Sequence, residues 1–437
     1  MRKSIFGVFM SSRVFSYFAD IPYSIIREIA ERVIKINKTI KNPDEKVIDL
    51  SLGQNFLGNP NIILSKINWI SERLLSKPFL YEPSLGPIDV REMIVKNFYP
   101  YFYSIPSDIL TADNIMITDG AFGAVRNALG AIFRPGDLFV IDRITFRYFL
   151  QSLVVMGRIL PKTRPFVIYS TEETGFIPSP EEVINFLEEL RMRYPDKNIV
   201  YYTQFGFNPT GCFRSESDLK KIVNYVEYQK NIFLINDIAY HLIRWGKKEV
   251  PLASVLAEEG KGIVDAESLS KPFGLMGARV GALITRDKEL FKFAARVQQY
   301  TIVSPTKLAV DVWRAVSSES NLPAIKEYIC KMNSIIKENY EYFTKGVKGF
   351  GLDICKEAKG TIYAFVKVGA RSSQLWKDLL EKAKVAVVPG IAFTDPDDYI
   401  GEHFIRVTVS VRRDLLERSL NRIGKFIERF SQVAVLR

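Results

Sequence analysis

The chain is poor in the residues that bind metals or form disulfide bonds. Its 437 residues include three cysteines and two histidines. Cys212, Cys330 and Cys355 are an odd number without paired or metal-like spacing, and His241 lies far from His403. We therefore expect no zinc or other metal site. Free thiols in this number are typical of a protein from a reducing cytoplasm.

Long apolar runs are also lacking. No segment approaches the roughly twenty apolar residues that span a bilayer, so we expect no membrane association. The opening "MRKSIFGVFMSSRVF" has a basic start, but Ser and Arg interrupt its apolar part after about seven residues, which is short for a secretory signal. These features predict a mature N-terminus and a cytoplasmic protein.

The sequence also has no run of charge of one sign. The formal net charge is +11, but 60 Lys and Arg residues are interspersed with 49 acidic residues. A solvated basic surface explains this excess without a nucleic-acid partner, and we expect none. The apolar share of 47% and the charged share of 25% are those of a folded protein.

Short apolar runs alternate with amphipathic stretches from about residue 115 to 285. The runs are "NIMIT", "LFVID", "NIVYYT", "IFLIN", "GIVDAES" and "VGALIT". This alternation predicts an α/β domain with a mostly parallel, helix-covered sheet. After Pro305 come long helical patterns and then "GTIYAFVKV", "VAVVP" and "FIRVTVS", which predict a smaller α+β domain. We expect an N-terminal arm and part of the small domain at 1–59, the large domain at 60–305 and the small C-terminal domain at 306–437.

The stretch "SLSKPFGLMGARVG" at 268–281 combines hydroxyls, glycines and two cations directly after an apolar run. A phosphate-binding P-loop is the wrong interpretation, because its glycines precede the lysine and its hydroxyl follows. A second interpretation is that Lys271 carries pyridoxal phosphate as a Schiff base, while Ser268, Ser270 and Arg279 bind the phosphate. The third is a turn with solvated cations.

Other segments help to distinguish these alternatives. Taken singly, each is an ordinary turn, helix start, strand end or core aromatic. They are "IDLSLGQN", "YEPSLGPIDVRE", "ITDGAFGAVRNAL", "RPGDLFVIDRITFRYF", "FNPTG", "NDIAYHLI" and "HFIRVTVS". Together and in this order they make the chain resemble the class I and II aminotransferases, which have the aspartate aminotransferase fold of fold type I pyridoxal-phosphate enzymes. The resemblance covers nearly the whole length. Its clearest departure lies just before Asn208, where the chain reads "QFGFNPTG" and the family usually has Asn-Pro-x-Asn-Pro-Thr-Gly.

The resemblance implies a role for each matching residue around the cofactor. Asp237 would keep the pyridine nitrogen protonated, and Tyr240 and Asn208 would bind the phenolic oxygen. Phe146 would stack on the ring, with Tyr148 and Phe149 as alternatives. The phosphate would be bound by the turn and helix start at Gly120, Ala121 and Phe122, by Ser268, Ser270 and Arg279, and by Tyr81 of a neighbouring subunit.

The resemblance also implies how substrate binds and what reaction follows. Arg406, Gly53 and Asn208 would bind the substrate α-carboxylate. We expect a homodimer with shared active sites that moves the amino group of an amino acid to a 2-oxo acid, 2-oxoglutarate being the expected acceptor. Lys271 would transfer the proton in a ping-pong cycle. The alternatives are a β-eliminating C–S lyase, a cyclopropane-carboxylate synthase, or a non-catalytic cofactor-binding regulator. The last would require a DNA-binding domain, for which the roughly twenty residues before "IPYSIIREIA" are too few.

Overall fold

A computed structural model describes residues 21, 23–58, 61–65, 80–246 and 251–434. The predicted mature N-terminus lies outside these residues. The strands are β1 (Ile48–Asp49), β2 (Ile115–Thr118), β3 (Leu138–Asp142), β4 (Phe166–Ile168), β5 (Ile199–Gln204), β6 (Ile232–Asp237), β7 (Ile263–Ser268), β8 (Gly281–Ile284), β9 (Asp353–Ile354), β10 (Tyr363–Lys367), β11 (Val385–Ala386), β12 (Val388–Pro389) and β13 (Phe404–Thr408). The α-helices are α1 (Ile25–Thr39), α2 (Asn61–Leu64), α3 (Ile88–Met93), α4 (Tyr99–Tyr103), α5 (Ala121–Ile132), α6 (Leu150–Val155), α7 (Pro180–Arg193), α8 (Glu216–Val226), α9 (Ala253–Leu256), α10 (Ser270–Phe273), α11 (Lys288–Thr301), α12 (Lys307–Ser317), α13 (Leu322–Gly349), α14 (Ser372–Asp378) and α15 (Arg413–Ala434).

The larger sheet has seven strands in the order β2-β8-β7-β6-β5-β3-β4. Strand β8 is antiparallel to both of its neighbours, and the other pairs are parallel. Every residue of β5 and β7 is buried, because helices cover both faces of the sheet. The predicted α/β fold with a mostly parallel seven-stranded sheet is therefore confirmed.

Residues from both ends of the described chain form a second, smaller packing unit. Strand β1 pairs in parallel with β11, and β12, β13, β10 and β9 form an antiparallel sheet. Apolar residues of α1, such as Ile29 and Val33, share a core with Ile336 of α13 and Leu416 of α15. Helix α1 packs here because its apolar residues recur at helical spacing.

The long helix α13 belongs to both packing units. Trp313 of α12 and Ile325 and Ile329 of α13 pack in the core of the seven-stranded sheet. From Met332 onward, α13 packs against the core of the smaller unit. The apolar contacts thus change partners inside α13, well beyond the boundary predicted at residue 305. The division of the chain into domains remains a proposal.

The topology of the large sheet gathers most of the predicted site at one edge. Thr118, Gln204, Asp237 and Ser268 are the last residues of β2, β5, β6 and β7. Gly281, the first residue of the reversed strand β8, pairs with both Thr118 and Ser268. The carboxyl ends of parallel strands share one edge of a sheet, and ligands commonly bind there.

The described residues contain neither a cluster of His, Cys, Asp and Glu able to hold a metal ion nor a helix with the length and apolar character to cross a bilayer.

Candidate active site

Lys271 lies in the short helix α10, three residues after the end of β7. Its ammonium donates a hydrogen bond to the carbonyl oxygen of Gly53, which comes from the N-terminal part of the chain. Burial, together with the positive charges of Arg406 and Arg279, lowers the pKa of Lys271 to about 7, although the nearby Asp237 opposes the shift. The amine therefore exchanges a proton readily near neutral pH.

Asp237 ends β6 and is buried at the same edge. Its carboxylate accepts hydrogen bonds from the Tyr202 hydroxyl at 2.8 Å and from the Ala239 amide at 2.9 Å. Burial raises the pKa of Asp237 to about 6, although these two hydrogen bonds and the nearby Lys271 favour the ionised form. The site thus holds a carboxylate and an amine that both titrate close to neutrality.

Tyr240 and Asn208 approach the site from two loops that follow β6 and β5. The hydroxyl of Tyr240 lies 2.7 Å from that of Tyr363 in β10. Burial and the neighbouring phenol raise the pKa of Tyr240 well above its ordinary value, so Tyr240 remains a hydrogen-bond donor. Asn208 precedes a cis proline, and its Oδ1 accepts a hydrogen bond of 2.9 Å from Arg406.

The start of α5 and the segment around Arg279 form one cradle. Gly120 has a φ of +84° and directly precedes α5, whose first amides, including those of Ala121 and Phe122, have no partners within the helix. The Arg279 guanidinium donates to the carbonyl of Asp119 at 2.8 Å and to that of Met276 at 3.2 Å. A Cβ at position 120 would lie 3.1 Å from this guanidinium. Free amides, a helix N-terminus and an arginine together suit an anion.

Ser268 and Ser270 lie between this cradle and Lys271. The Ser268 hydroxyl donates to the carbonyl of Val280 at 3.3 Å and accepts from the Ser270 amide at 3.1 Å. The Ser270 hydroxyl is buried without a hydrogen-bond partner among the described residues. An unpaired buried hydroxyl is costly, and a bound phosphate would satisfy it.

The residues present therefore fit pyridoxal phosphate. The cradle at Gly120 and Arg279 and the unpaired Ser270 hydroxyl suit its phosphate, and Lys271 offers the amine that its aldehyde requires. Asp237 offers a carboxylate for its ring nitrogen.

Arg406 is a buried cation in β13, one of the two inner strands of the smaller sheet. Its Nη2 donates to the carbonyl of Ser51 at 2.6 Å, while Nε is buried without a hydrogen-bond partner among the described residues. The guanidinium lies 4.3 Å from the ring centroid of Tyr363 and 5.1 Å from that of Phe393. A buried guanidinium with an unpaired N–H is suited to receive a carboxylate.

Three aromatic residues follow β3, and all three remain candidates for stacking. Phe149 is buried in the core with its ring centroid 4.9 Å from that of Tyr202. Phe146 is only partly buried and packs on Tyr148 at 5.1 Å and on Phe149 at 5.4 Å. Phe146 and Tyr148 are thus only partly buried, whereas Phe149 lies in the core.

Gly53 packs against Lys271 and Tyr363, whereas Tyr81 lies at the surface. Gly53 touches Lys271 through its carbonyl group, and a Cβ there would collide with the Tyr363 hydroxyl. Glycine is thus required by close packing. Tyr81 is 85% exposed and is not brought to the site of its own chain.

The structure adds residues that the motifs do not reveal. Tyr202 bonds Asp237, and Tyr363 lies between Tyr240 and Arg406. Gln204 donates to the Tyr202 hydroxyl at 3.0 Å and accepts from the Asn208 amide at 2.6 Å. No motif marks Gln204, because it lies just before the seven residues that align with the family pattern.

Comparison with known proteins agrees with this geometry. The sequence profile of the family "Aminotransferase class I and II" matches residues 45–423. The chain is 27% identical over 415 residues to an aspartate aminotransferase of Pyrococcus horikoshii, covering 93% of this chain and 95% of that protein. It is 25% identical over 419 residues to a probable N-acetyl-LL-diaminopimelate aminotransferase of Bacillus subtilis, covering 92% and 94%.

Solved structures show the same fold. An aminotransferase from Mycobacterium tuberculosis superposes with a TM-score of 0.79 at 20% identity, over 96% of this chain and all of that chain. The aspartate aminotransferase of Thermus thermophilus with maleate gives 0.78 at 18% identity, over 95% of this chain and all of that chain. The chain therefore belongs to the class I and II aminotransferase family and has the fold type I architecture of pyridoxal-phosphate enzymes.

Proposed function

We propose that this aminotransferase moves the amino group of an amino acid to 2-oxoglutarate in a ping-pong cycle, with Lys271 as the proton-transferring group. The observation that carries the proposal is the closeness of the Lys271 amine to the Arg406 guanidinium. Arg406 is the charged group with the largest influence on the pKa of Lys271, which is lowered to about 7. A carboxylate on Arg406 would therefore bring a substrate close to an amine that can accept and return a proton.

Each residue has a separable task in this scheme. Pyridoxal phosphate, when bound, supplies the electron sink that makes the α-proton of an amino acid acidic. Arg406 and Asn208 orient the substrate carboxylate, and Lys271 takes the proton from Cα and later returns it. Asp237 accepts a hydrogen bond as a carboxylate, and Tyr240 donates one.

A third cation supports a dicarboxylic acceptor. Arg27 lies in the first turn of α1, and its neighbours Ile25 and Ile26 pack on the apolar cluster that contains Phe393 and Ile144. Phe393 in turn lies over Arg406. The charge of Arg27 is close enough to contribute to the lowered pKa of Lys271. We propose that Arg406 binds the α-carboxylate and that Arg27 binds the distal one.

We further propose a cytoplasmic homodimer with shared sites, in which Tyr81 reaches the phosphate site of the neighbouring subunit. The exposed position of Tyr81 in the single chain supports this. A phenol can donate one hydrogen bond to a phosphate without adding charge.

The test is to incubate the enzyme with a panel of amino donors and 2-oxoglutarate. The cofactor spectrum and the oxo-acid product are measured for each donor. We expect one oxo acid per glutamate formed. Ammonia release without glutamate would overturn the proposal in favour of a lyase. The Lys271→Ala variant should retain bound cofactor and lose turnover, and full transaminase activity in that variant would contradict the role of Lys271.

A further inference from the structure

A group of buried polar side chains lies beside the active site without taking part in the scheme above. It consists of Glu267, His241, Tyr99 and Tyr103, here called the Glu267 cluster. All four are at most 3% exposed. Glu267 directly precedes Ser268, and His241 directly follows Tyr240. The cluster therefore joins the two strand ends that carry the predicted cofactor contacts to helix α4.

Glu267 is surrounded by donors. Tyr99 donates to its Oε2 at 2.7 Å, and Tyr103 donates to its Oε1. Burial and the nearby Glu267 raise the pKa of both phenols well above the ordinary value, so both keep their protons. Both oxygens of the Glu267 carboxyl group therefore accept a hydrogen bond from a phenol.

His241 faces an acceptor at each ring nitrogen. Its Nδ1 contacts the carbonyl oxygen of Ile238, which can only accept, so Nδ1 carries a proton. Its Nε2 lies 3.3 Å from Oε1 of Glu267 and has no hydrogen-bond partner among the described residues. Nε2 is therefore buried close to a carboxylate oxygen but outside hydrogen-bond geometry, and a positive charge on the ring would be attracted to that oxygen. A proton on Nε2 turns the same contact into an ion pair.

We propose that His241 is buried as an imidazolium paired with Glu267, and that its positive charge helps to hold Asp237 as a carboxylate. His241 would then be a positioning residue that acts through Asp237 without touching substrate.

The position of His241 connects the cluster to the site. His241 lies four residues after Asp237, which is the last residue of β6. Burial raises the pKa of Asp237 to about 6, and the charge of a protonated His241 acts in the opposite direction. Charged groups nearby include Lys271 on the Asp237 side and Glu267 on the far side, and Asp265 of β7 is close enough to raise the pKa of Tyr99 and Tyr103. The edge of the Tyr103 ring closes the remaining face of the imidazole, with ring centroids 5.1 Å apart.

The charge of His241 can be measured directly because the chain has only two histidines. In nitrogen-15 spectra of histidine-labelled protein, one signal set belongs to His241 and the other to the exposed His403, and a His403→Asn variant assigns them. We expect His241 to show two protonated ring nitrogens throughout pH 6 to 8. A neutral tautomer of His241 at pH 7.5 would overturn the ion pair. In Glu267→Gln, we expect His241 to lose one proton, and an unchanged imidazolium would also overturn the pairing.

The effect on Asp237 rests on the proposed function and needs the holoenzyme. In His241→Asn, we expect the acid limb of kcat to move to higher pH by about half a unit, which lowers turnover about threefold on that limb. His403→Asn should not move it. If the spectra show an imidazolium but the acid limb of kcat does not shift in His241→Asn, the proposed effect of His241 on Asp237 is wrong. If His241→Asn does not fold, Glu267→Gln provides the same comparison. Absence of all transaminase activity in the wild type would refute the proposed function, while the spectra would still decide the charge of His241.

Discussion

Burial controls the charge of the two central groups of the site. It raises the pKa of Asp237 to about 6 and lowers that of Lys271 to about 7. Both shifts oppose the charged form, and the protein therefore stores unfavourable free energy where the chemistry is expected. Such a site should be less stable than an inert replacement of the same shape.

Replacing Asp237 by asparagine should expose this cost. The pKa of Asp237 rises from an ordinary 3.8 to about 6 on folding, so its contribution to stability is complete below pH 3.8 and is lost as the pH rises through 6. This corresponds to at most about 3 kcal/mol at pH 8. We expect cofactor-free Asp237→Asn to gain about 1–3 kcal/mol in urea unfolding at pH 8, with the gain shrinking toward pH 4. The same variant should turn over far more slowly with cofactor. Lower stability at pH 8 would contradict this account.

Arg27 should determine the preference for substrates with a second carboxylate. In Arg27→Gln, we expect kcat/KM for aspartate, glutamate and 2-oxoglutarate to fall about tenfold, with little change for alanine or phenylalanine. Arg32→Gln is the matched control on the same helix, because Arg32 is paired with Glu28 at 2.8 Å and lies over Trp376. An equal loss for neutral and acidic substrates would contradict a distal-carboxylate role.

At the scale of elements, a row of ion pairs joins the segment after β3 to the segment before β13. Arg143 forms a bidentate ion pair with Asp398, with hydrogen bonds of 2.7 and 2.9 Å, and Arg147 donates to Asp395 at 2.8 Å. The first segment carries Phe146, and the second begins at Phe393, which lies over Arg406. The ion pairs therefore fix the walls of the site relative to each other.

The Asp398→Asn variant tests this connection. Burial alone would raise the pKa of Asp398, but hydrogen bonds from Arg143 and the Ile400 amide lower it overall. The stability it contributes is thus present above its ordinary pKa of 3.8 and is lost as the pH falls further. We expect a loss of about 1–3 kcal/mol at pH 7 and a several-fold higher KM, with a smaller change in kcat. Asp414→Asn, which breaks an exposed pair with Arg412, is the control and should change neither quantity. An unchanged KM in Asp398→Asn would show that the segment is positioned by other contacts.

At the scale of the whole molecule, apolar side chains are exposed next to the predicted cofactor edge. Leu80, Tyr81 and Ile88 are exposed on one segment, and Tyr300 lies at the end of α11. These two regions are adjacent, because Gln298 of α11 donates to the carbonyl of Ser84 at 2.5 Å. Exposed apolar groups collected in this way suit the proposed contact with a second copy of the chain.

Mixing two inactive or weakened variants should restore activity if sites are shared. In a heterodimer of Tyr81→Phe and Lys271→Ala, one site receives both wild-type residues and the other receives both changes. We expect activity above the average of the two parents, measured after subunit exchange is verified with tagged chains. A fully active monomer, or no recovery when both parents are weak and exchange is proven, would contradict the shared site.

Much of this protein follows from local sequence. The alternation of apolar runs and amphipathic stretches predicts the parallel sheet, since backbone pairing and burial on both faces require that pattern. The order of the motifs predicts Lys271, Asp237 and Arg406 as neighbours, and the structure places Lys271 and Arg406 close enough to interact. Each lies at a strand end, in the turn after a strand, or in a strand, where its local sequence already limits its position.

The tertiary structure alone decides what surrounds those residues. Tyr363 meets Tyr240 across 123 positions of sequence, and Tyr103 meets Glu267 across 164. Contacts of this kind depend on how helices and sheets pack, and neither periodicity nor turn chemistry encodes them. The sequence therefore determines the fold and the reactive groups, whereas packing determines their charge, because the pKa of a buried group depends on neighbours that distant segments supply.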